Sequence, residues 1–355
     1  MKRTPQRLLI VYHRFPPIAE SLQAAFLRQG VDTQVFCTTD YEHWFYHRVI
    51  RTVNRLARSF RLVAKGTDLF KSHPLNQINR FELNFERVCS QYRPDAVLFI
   101  HGHSFGEALL SRMNVATVGW HVEPRDDLPY LIDKAKSLDI YNSFSNKDVA
   151  VLKEAGFDCR YLCHAVDCEK FFSQPGSASK FDVAFVGNWS EWRDDVVMAA
   201  LEVSPNVAIY GGYWRKKSRI PKHIFRRIYK GEEIVGAELN SLYNETKIVL
   251  NASRTAGSNG LNMRFFEVLA AGSLLVTDTV PELETHFEPN THLVVYRDVG
   301  ELKQCLRQLL QNTPQMDAIR KAGQARVIAC HQYNQMATYF SGQFEEIMGK
   351  SGKLR

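Results

Sequence analysis

The chain has 355 residues, 45% hydrophobic and 23% charged, with Lys plus Arg at 45 against Asp plus Glu at 38. That balance is ordinary for a globular protein and excludes a disordered chain, a collagen or a long coiled coil. The length suits two or three domains with a substantial core, and the net charge of +7 permits an anionic ligand or surface without requiring one.

The chain opens with a short apolar run, Arg7 to Phe15, bounded by Pro16-Pro17, which reads as a buried strand. Glu20 to Gln29 has helical spacing and stops at Gly30, and Val31 to Cys37 is a second strand. This β-α-β start is the unit of a parallel sheet. Further strands are expected at Asp95 to His101, Val115 to His121 and Asp139 to Asn142, with a helix from Asn146 to Ala155. Leu8 to Tyr12 is too short for a signal peptide, and no run approaches the roughly 18 apolar residues of a membrane span. The expected location is cytoplasmic, with the inner membrane face as a peripheral option.

Between the first two strands and the rest lies a stretch, His43 to Thr67, without an acidic residue. On a helical wheel, Phe45, Val49, Val53, Leu56, Phe60 and Val63 share one side, while Arg48, Arg51, Arg55, Arg58, Arg61 and Lys65 share the other. A basic amphipathic helix over 43–67 is expected. Its core-packed reading and its reading as a contact for an anionic membrane or acceptor, through Arg48, Arg51, Arg55 and Arg58, both stay open. Trp44, Phe45 and Tyr46 at one end suit an interface.

Phe172 to Lys180 is rich in Ser, Pro and Gly, as linkers are, and β-α alternation then restarts. Strands are expected at Phe181 to Val186, Val207 to Tyr210, Lys247 to Asn251 and Leu274 to Thr277. Helices are expected at Asp194 to Val203, Met263 to Ala271, Glu301 to Gln311, Met316 to Cys330 and Asn334 to Met348. The result is two α/β domains, 1–172 and 180–334, with 335–355 returning to the first. Such a pair places a cleft at the carboxyl ends of both sheets.

Seven cysteines are scattered along the chain, and reduced thiols are expected. Cys159, Cys163, His164 and Cys168 cluster in sequence but lack the paired C-x-x-C spacing of a zinc site, so they read as structural thiols, with no metal expected.

The most informative stretch is Lys247 to Glu284. A strand runs into a polar loop holding Gly257, Asn259 and Gly260, and a helix starts at Asn262 or Met263. Backbone N–H groups at such a helix start attract anions. Arg264 adds a fixed cation suited to a diphosphate. Glu267 lies three residues on, on the same face, where a carboxylate can accept both hydrogen bonds of a ribose diol.

This segment resembles the donor-binding segment of GT-B glycosyltransferases, and most of all the spore-maturation-protein-B-like group. The matching residues are Leu250-Asn251, Asn262-Met263-Arg264-Phe265-Phe266-Glu267, Ala270, Gly272, Leu275, Thr277 and Asp278. Asp182 to Gly187 with Arg193, Ile209-Tyr210-Gly211, and Glu238-Leu239 with Leu242-Tyr243 extend the likeness. Pro94-Asp95, Trp120 to Pro124, and Tyr161-Leu162 with Ala165 fit it loosely.

The resemblance implies a GT-B fold, two Rossmann-like doubly wound domains facing across a cleft. It also implies transfer of a sugar from a nucleotide-diphosphate donor to a hydroxyl acceptor, with no cofactor beyond that donor. Donor contacts are then expected from Gly187, Arg193, Tyr210, Gly211, Asn251, Asn259, Gly260, Leu261, Asn262, Arg264 and Glu267. Arg193, Arg264 and the amides near Gly260 and Leu261 would hold the diphosphate, and the Tyr210-Gly211 turn the base. Related retaining enzymes carry two glutamates eight apart. Glu267 matches the second, and Asn259 stands where the first would be.

His121 and Glu123, at the end of a first-half strand, are the expected acceptor-side catalytic pair, ahead of His13, His101 and His103. Asp126-Asp127 reads as a helix cap. The expected acceptor is a cell-surface glycan or lipid-linked precursor. The alternatives are a nucleotide-sugar epimerase or phosphorylase of the same fold, a base-modifying transferase, a DNA-binding protein and a non-catalytic scaffold. No motif supports nucleic acid as a partner.

Overall fold

The computed structural model describes residues 4–13, 16–64, 67–100, 105–123, 128–254 and 260–351. The chain divides into two compact units. The first comprises Met1–Ser143, Asp148–Leu162 and Ala337–Arg355, and the second Phe144–Lys147 and Cys163–Met336. The return to the first unit therefore falls inside the last helix, Tyr333–Ser351.

The first unit is built on a six-stranded sheet of order β2-β1-β3-β4-β5-β6. Its strands are β1 (Arg7–Tyr12), β2 (Asp32–Cys37), β3 (Ala96–Ile100), β4 (Ala116–His121), β5 (Ile140–Ser143) and β6 (Cys159–Tyr161). Every pairing is parallel. β3 and β4 are buried along their whole length, which explains their near-continuous apolar sequence: helices cover both faces of a parallel sheet. One such helix, Gln77–Tyr92, was not expected. It packs Phe81 and Phe85 onto Phe36, Val97 and Phe99. At the other edge Arg160 of β6 makes a forked ion pair with Glu346 of the last helix, at 2.8 and 3.0 Å, and Gln29 Nε2 donates to Thr338 Oγ1 at 3.0 Å.

The second unit repeats the plan with order β12-β11-β10-β7-β8-β9. Its strands are β7 (Phe181–Val186), β8 (Val207–Tyr210), β9 (Tyr229–Gly231), β10 (Thr246–Asn251), β11 (Leu274–Asp278) and β12 (Val294–Tyr296). Its core joins Val183, Phe185, Ile248, Leu250, Leu274 and Val276 to helix side chains such as Val196, Val197, Leu302 and Leu306. The strand order reverses between β7 and β10, which are adjacent and parallel. In open α/β sheets that switch point opens a crevice at the strands' carboxyl ends.

The expected helix over 43–67 is corrected. A π-helical turn, Tyr46–Ile50, leads into an α-helix, Arg51–Ser59. The helix then stops: Leu62 N–H bonds Ala57 O at 2.9 Å, and Arg61 adopts φ +56°. Asn54 ties the returning chain through Asp68 (2.6 Å) and the Leu69 amide (3.0 Å). The buried face is Ile50, Asn54 and Ala57. The expected apolar stripe lies one residue out of phase with it, so Val53, Leu56 and Phe60 are 38%, 47% and 71% exposed, beside exposed Arg48, Arg51, Arg55 and Arg58. Among the described residues no helix is long and apolar enough to cross a membrane.

Candidate donor site

The site in the second unit is assembled at the carboxyl ends of β7, β10 and β11. Ser190 caps the helix Glu191–Leu201 by accepting from the Arg193 amide, 3.3 Å. This sets Arg193 to span the switch point. Its Nη1 donates to Asn188 O (2.9 Å) in the loop after β7, and its Nε to Ala252 O (3.0 Å) after β10. From β11, Asp278 accepts from the Ser253 amide (2.9 and 3.1 Å) and from Trp192 Nε1 (3.2 Å). These bonds hold the 252–254 loop beside Arg193. Burial pushes the Asp278 carboxyl above the usual range, against the pull of those donors.

The helix Met263–Ala270 starts at Asn262, whose side chain accepts from the Arg264 amide at 3.1 Å. Asn262 Nδ2 also donates to Asn251 Oδ1 (3.1 Å), and Asn251 Nδ2 to Thr277 Oγ1 (3.1 Å). Buried Asn251 thus latches the helix start to two strands. Gly260 sits at φ +84°, and a Cβ there would lie 2.2 Å from the Phe144 ring. Its N–H donates to Glu282 Oε2 at 2.8 Å. Glu282, which no sequence motif marked, also accepts from the Asn146 amide at 3.0 Å. Leu261 is fully buried. Asn259 lies outside the described residues.

Arg264 projects from the first turn, and its buried Nε has no hydrogen-bond partner among the described residues. Arg193 is pulled down to about 10, first by burial and then by the neighbouring guanidinium groups of Arg264 and Arg254, with Asp278 opposing. Glu267, 9% exposed, receives among the described residues only a long bond from Tyr243 Oη, 3.4 Å. Burial raises its carboxyl above the ordinary range, while Arg264 and Tyr243 act the other way. Two half-buried cations, one with a buried and unmet Nε donor, form an arrangement that an anion completes.

At the Tyr210-Gly211 turn, Tyr210 O accepts from the Gly187 amide (2.8 Å), the Gly211 amide donates to Gly231 O (3.0 Å), and Gly211 O accepts from Tyr229 Oη (3.2 Å). Those bonds clasp the turn. Gly211, at φ +143°, is required because a Cβ would come within 2.0 Å of Gly187 O.

In the first unit, His121 ends β4 with no exposed surface, its ring 6.5 Å from that of Tyr141. Glu123 is half-buried, so of the expected pair only Glu123 is presented to solvent. His13 Nδ1 meets Thr38 Oγ1 at 2.7 Å. His101, His103 and Asp126-Asp127 lie outside the described residues.

Comparisons with known proteins agree with this fold. Residues 177–342 match the family described as glycosyl transferase-like. No curated protein matches the sequence at a significant level. Among solved structures, sucrose-phosphate synthase from Thermosynechococcus elongatus superposes with a TM-score of 0.70 at 11% identity, covering 98% of this chain and 100% of that one. Anabaena HepE in complex with UDP-glucose gives 0.65 at 12% identity, covering 97% and 99%. A glycosyltransferase from Rickettsia africae gives 0.65 at 14%, covering 97% and 99%. Residues 177–342 therefore form a glycosyl transferase-like domain in a chain of the GT-B fold, and that stretch lies almost wholly in the unit that carries Arg193, Arg264 and Glu267.

Proposed function

We propose that the chain transfers a sugar from a nucleotide-diphosphate donor to a hydroxyl acceptor, without a metal at the diphosphate, as a member of the spore-maturation-protein-B-like group. The observation that carries this reading is Arg193 fixed across the switch point by its bonds to Asn188 O and Ala252 O, with the buried Nε of Arg264 at the neighbouring helix start unmet among the described residues. As the C1–O bond breaks, negative charge gathers on the departing diphosphate and the sugar becomes oxocarbenium-like. Fixed guanidinium groups stabilise that charge where it develops, and need no reorganisation to do so. Glu267 accepts from the ribose hydroxyls. HepE has been solved with UDP-glucose, which makes a uridine nucleotide the first donor to test.

On the acceptor side we assign proton removal to Glu123, with His121 as a positioning residue at the strand end. The acceptor is a cell-surface glycan or lipid-linked precursor. The reading is supported by the exposed face of Val53, Leu56 and Phe60 beside Arg48, Arg51, Arg55 and Arg58, which suits an anionic membrane surface.

The test is a thermal-shift series with UDP, GDP, ADP, TDP and CMP, each with and without Mg²⁺. A ligand at about 100 times its Kd stabilises the fold by about 2.7 kcal/mol. One nucleoside diphosphate raising Tm equally with and without Mg²⁺ is the expected result. No shift with any of them overturns the donor assignment.

A further inference from the structure

Outside the donor site, three side chains far apart in sequence converge inside the second unit. Cys163 Sγ lies 3.9 Å from His286 Nδ1 and 3.7 Å from His331 Nδ1, across sequence separations of 123 and 168 residues. One ligand atom from each residue falls within 4.8 Å of the other two. Cys163 and His331 are buried, and His286 is half-buried. We propose that Cys163, His286 and His331 form a zinc site.

The geometry favours zinc over a plain thiol–imidazole contact. Tetrahedral zinc, with Zn–S near 2.3 Å and Zn–N near 2.05 Å, separates its sulfur and nitrogen ligands by about 3.6 Å. Both observed S···N separations are close to that edge. His331 Nε2 has no hydrogen-bond partner among the described residues, so the ring takes its polar orientation from the Nδ1 side, toward Cys163. Apolar walls fix the rest: the His331 ring lies 5.2 Å from Phe266 and 5.3 Å from Phe287.

The backbone holds the three ligands near one another before any ion arrives. The Val166 amide donates to His331 O at 2.9 Å, three residues beyond Cys163. Arg326 Nε donates to His286 O at 2.8 Å. Zinc takes neutral imidazoles and a thiolate as ligands. Zinc entry would therefore release the Cys163 thiol proton to solvent and leave a thiolate bound to the ion. A water completes the tetrahedron on the half-buried His286 side. The ion would clamp three segments: the entry into the second unit at Cys163, the end of the helix Leu283–His286, and the end of the helix Thr313–Cys330. It lies on the Phe266 side of the donor helix, so it stabilises the unit without being a reactant.

The experiment strips the full chain with EDTA and titrates it with ZnCl₂ and, separately, CoCl₂. The expected results are a single tight zinc ion, release of one proton, a higher Tm, protection of Cys163 from alkylation, and a tetrahedral cobalt spectrum with a thiolate-to-cobalt band. Cys163→Ser should abolish that band. Its zinc affinity should fall by more than the roughly 10–100-fold that losing an outer-shell partner costs. His286→Gln changes the most exposed ligand and keeps the test valid if Cys163→Ser fails to fold. Wild-type zinc affinity in His286→Gln, or a cobalt complex without the thiolate band, overturns the proposal.

Discussion

Arginines occur in two settings in this molecule, and the contrast shows when a positive side chain points to a ligand. Along Arg51–Ser59, Arg51 and Arg55 are solvated and spaced along a surface. A solvated charge costs little and can be fully satisfied by water. At the switch point of the second unit, half-buried Arg193 is held by bonds to Asn188 O and Ala252 O, and the Nε of half-buried Arg264 is shut off from water with no partner among the described residues. A buried donor left unmet opposes folding unless an anion repays it. This pair therefore carries functional information by itself. The surface row carries it only through the apolar residues left exposed beside it.

The largest expected effect breaks the switch-point pair. Arg264→Ala should weaken binding of the stabilising nucleoside diphosphate by about 1–3 kcal/mol, the cost of a lost hydrogen bond to a charged group, read by calorimetry. Relief of repulsion at Arg193 should leave the free protein as stable as before or more so. Wild-type nucleotide affinity in this variant would remove the loop from the donor site.

The surface row sharpens the contrast from the other side. Arg51→Ala together with Arg55→Ala should lower affinity for phosphatidylserine vesicles by roughly 1 kcal/mol per charge, and added salt should shrink the difference. Nucleotide affinity should not change. Phe60→Ser, at a residue 71% exposed, should also weaken vesicle binding while leaving Tm nearly unchanged. Equal binding of wild type and variants to anionic vesicles would return this face to an ordinary solvated surface.

The two settings also differ in how far the sequence disclosed them. The β-α alternation was readable because strands buried on both faces must be apolar throughout, and β7 and β8 fall at the expected residues. Arg264 and Glu267 were readable because a helix start, a cation and a carboxylate on one face are local facts. Glu282 was not, since its bonds to Gly260 and Asn146 span 22 and 136 residues. The convergence of Cys163, His286 and His331 was hidden for the same reason. Neither setting's backbone groups could be assigned from sequence either: the Gly260 and Gly211 amides look available until their partners are located. The helix Gln77–Tyr92 did carry a signal, with Phe81, Phe85, Val88 and Tyr92 at three- and four-residue spacing. The helix at Arg51–Ser59 was misphased because its buried face includes a polar residue, Asn54, bonded to Asp68.

Glu267 yields the smallest expected effect, and one whose sign tests the account of the buried setting. Its carboxyl is raised above the ordinary 4.5, mainly by burial. A group raised in the folded state contributes stability below its unfolded pKa, and that contribution is lost as pH rises through the folded pKa. Glu267→Gln removes the loss. The variant should therefore gain stability relative to wild type as pH climbs above the ordinary carboxylate range, measured as the difference in denaturation midpoint across a pH series. Nucleotide binding should move the other way. The carboxylate is the better acceptor for a ribose diol, since a charge-assisted bond is roughly twice as strong as a neutral one. Wild-type affinity should fall on acidification, beginning above the ordinary carboxylate range, while the variant binds more weakly and without that pH dependence. A variant less stable than wild type at neutral pH would mean that Glu267 holds the fold together through Tyr243, and the ribose assignment would lose its physical basis.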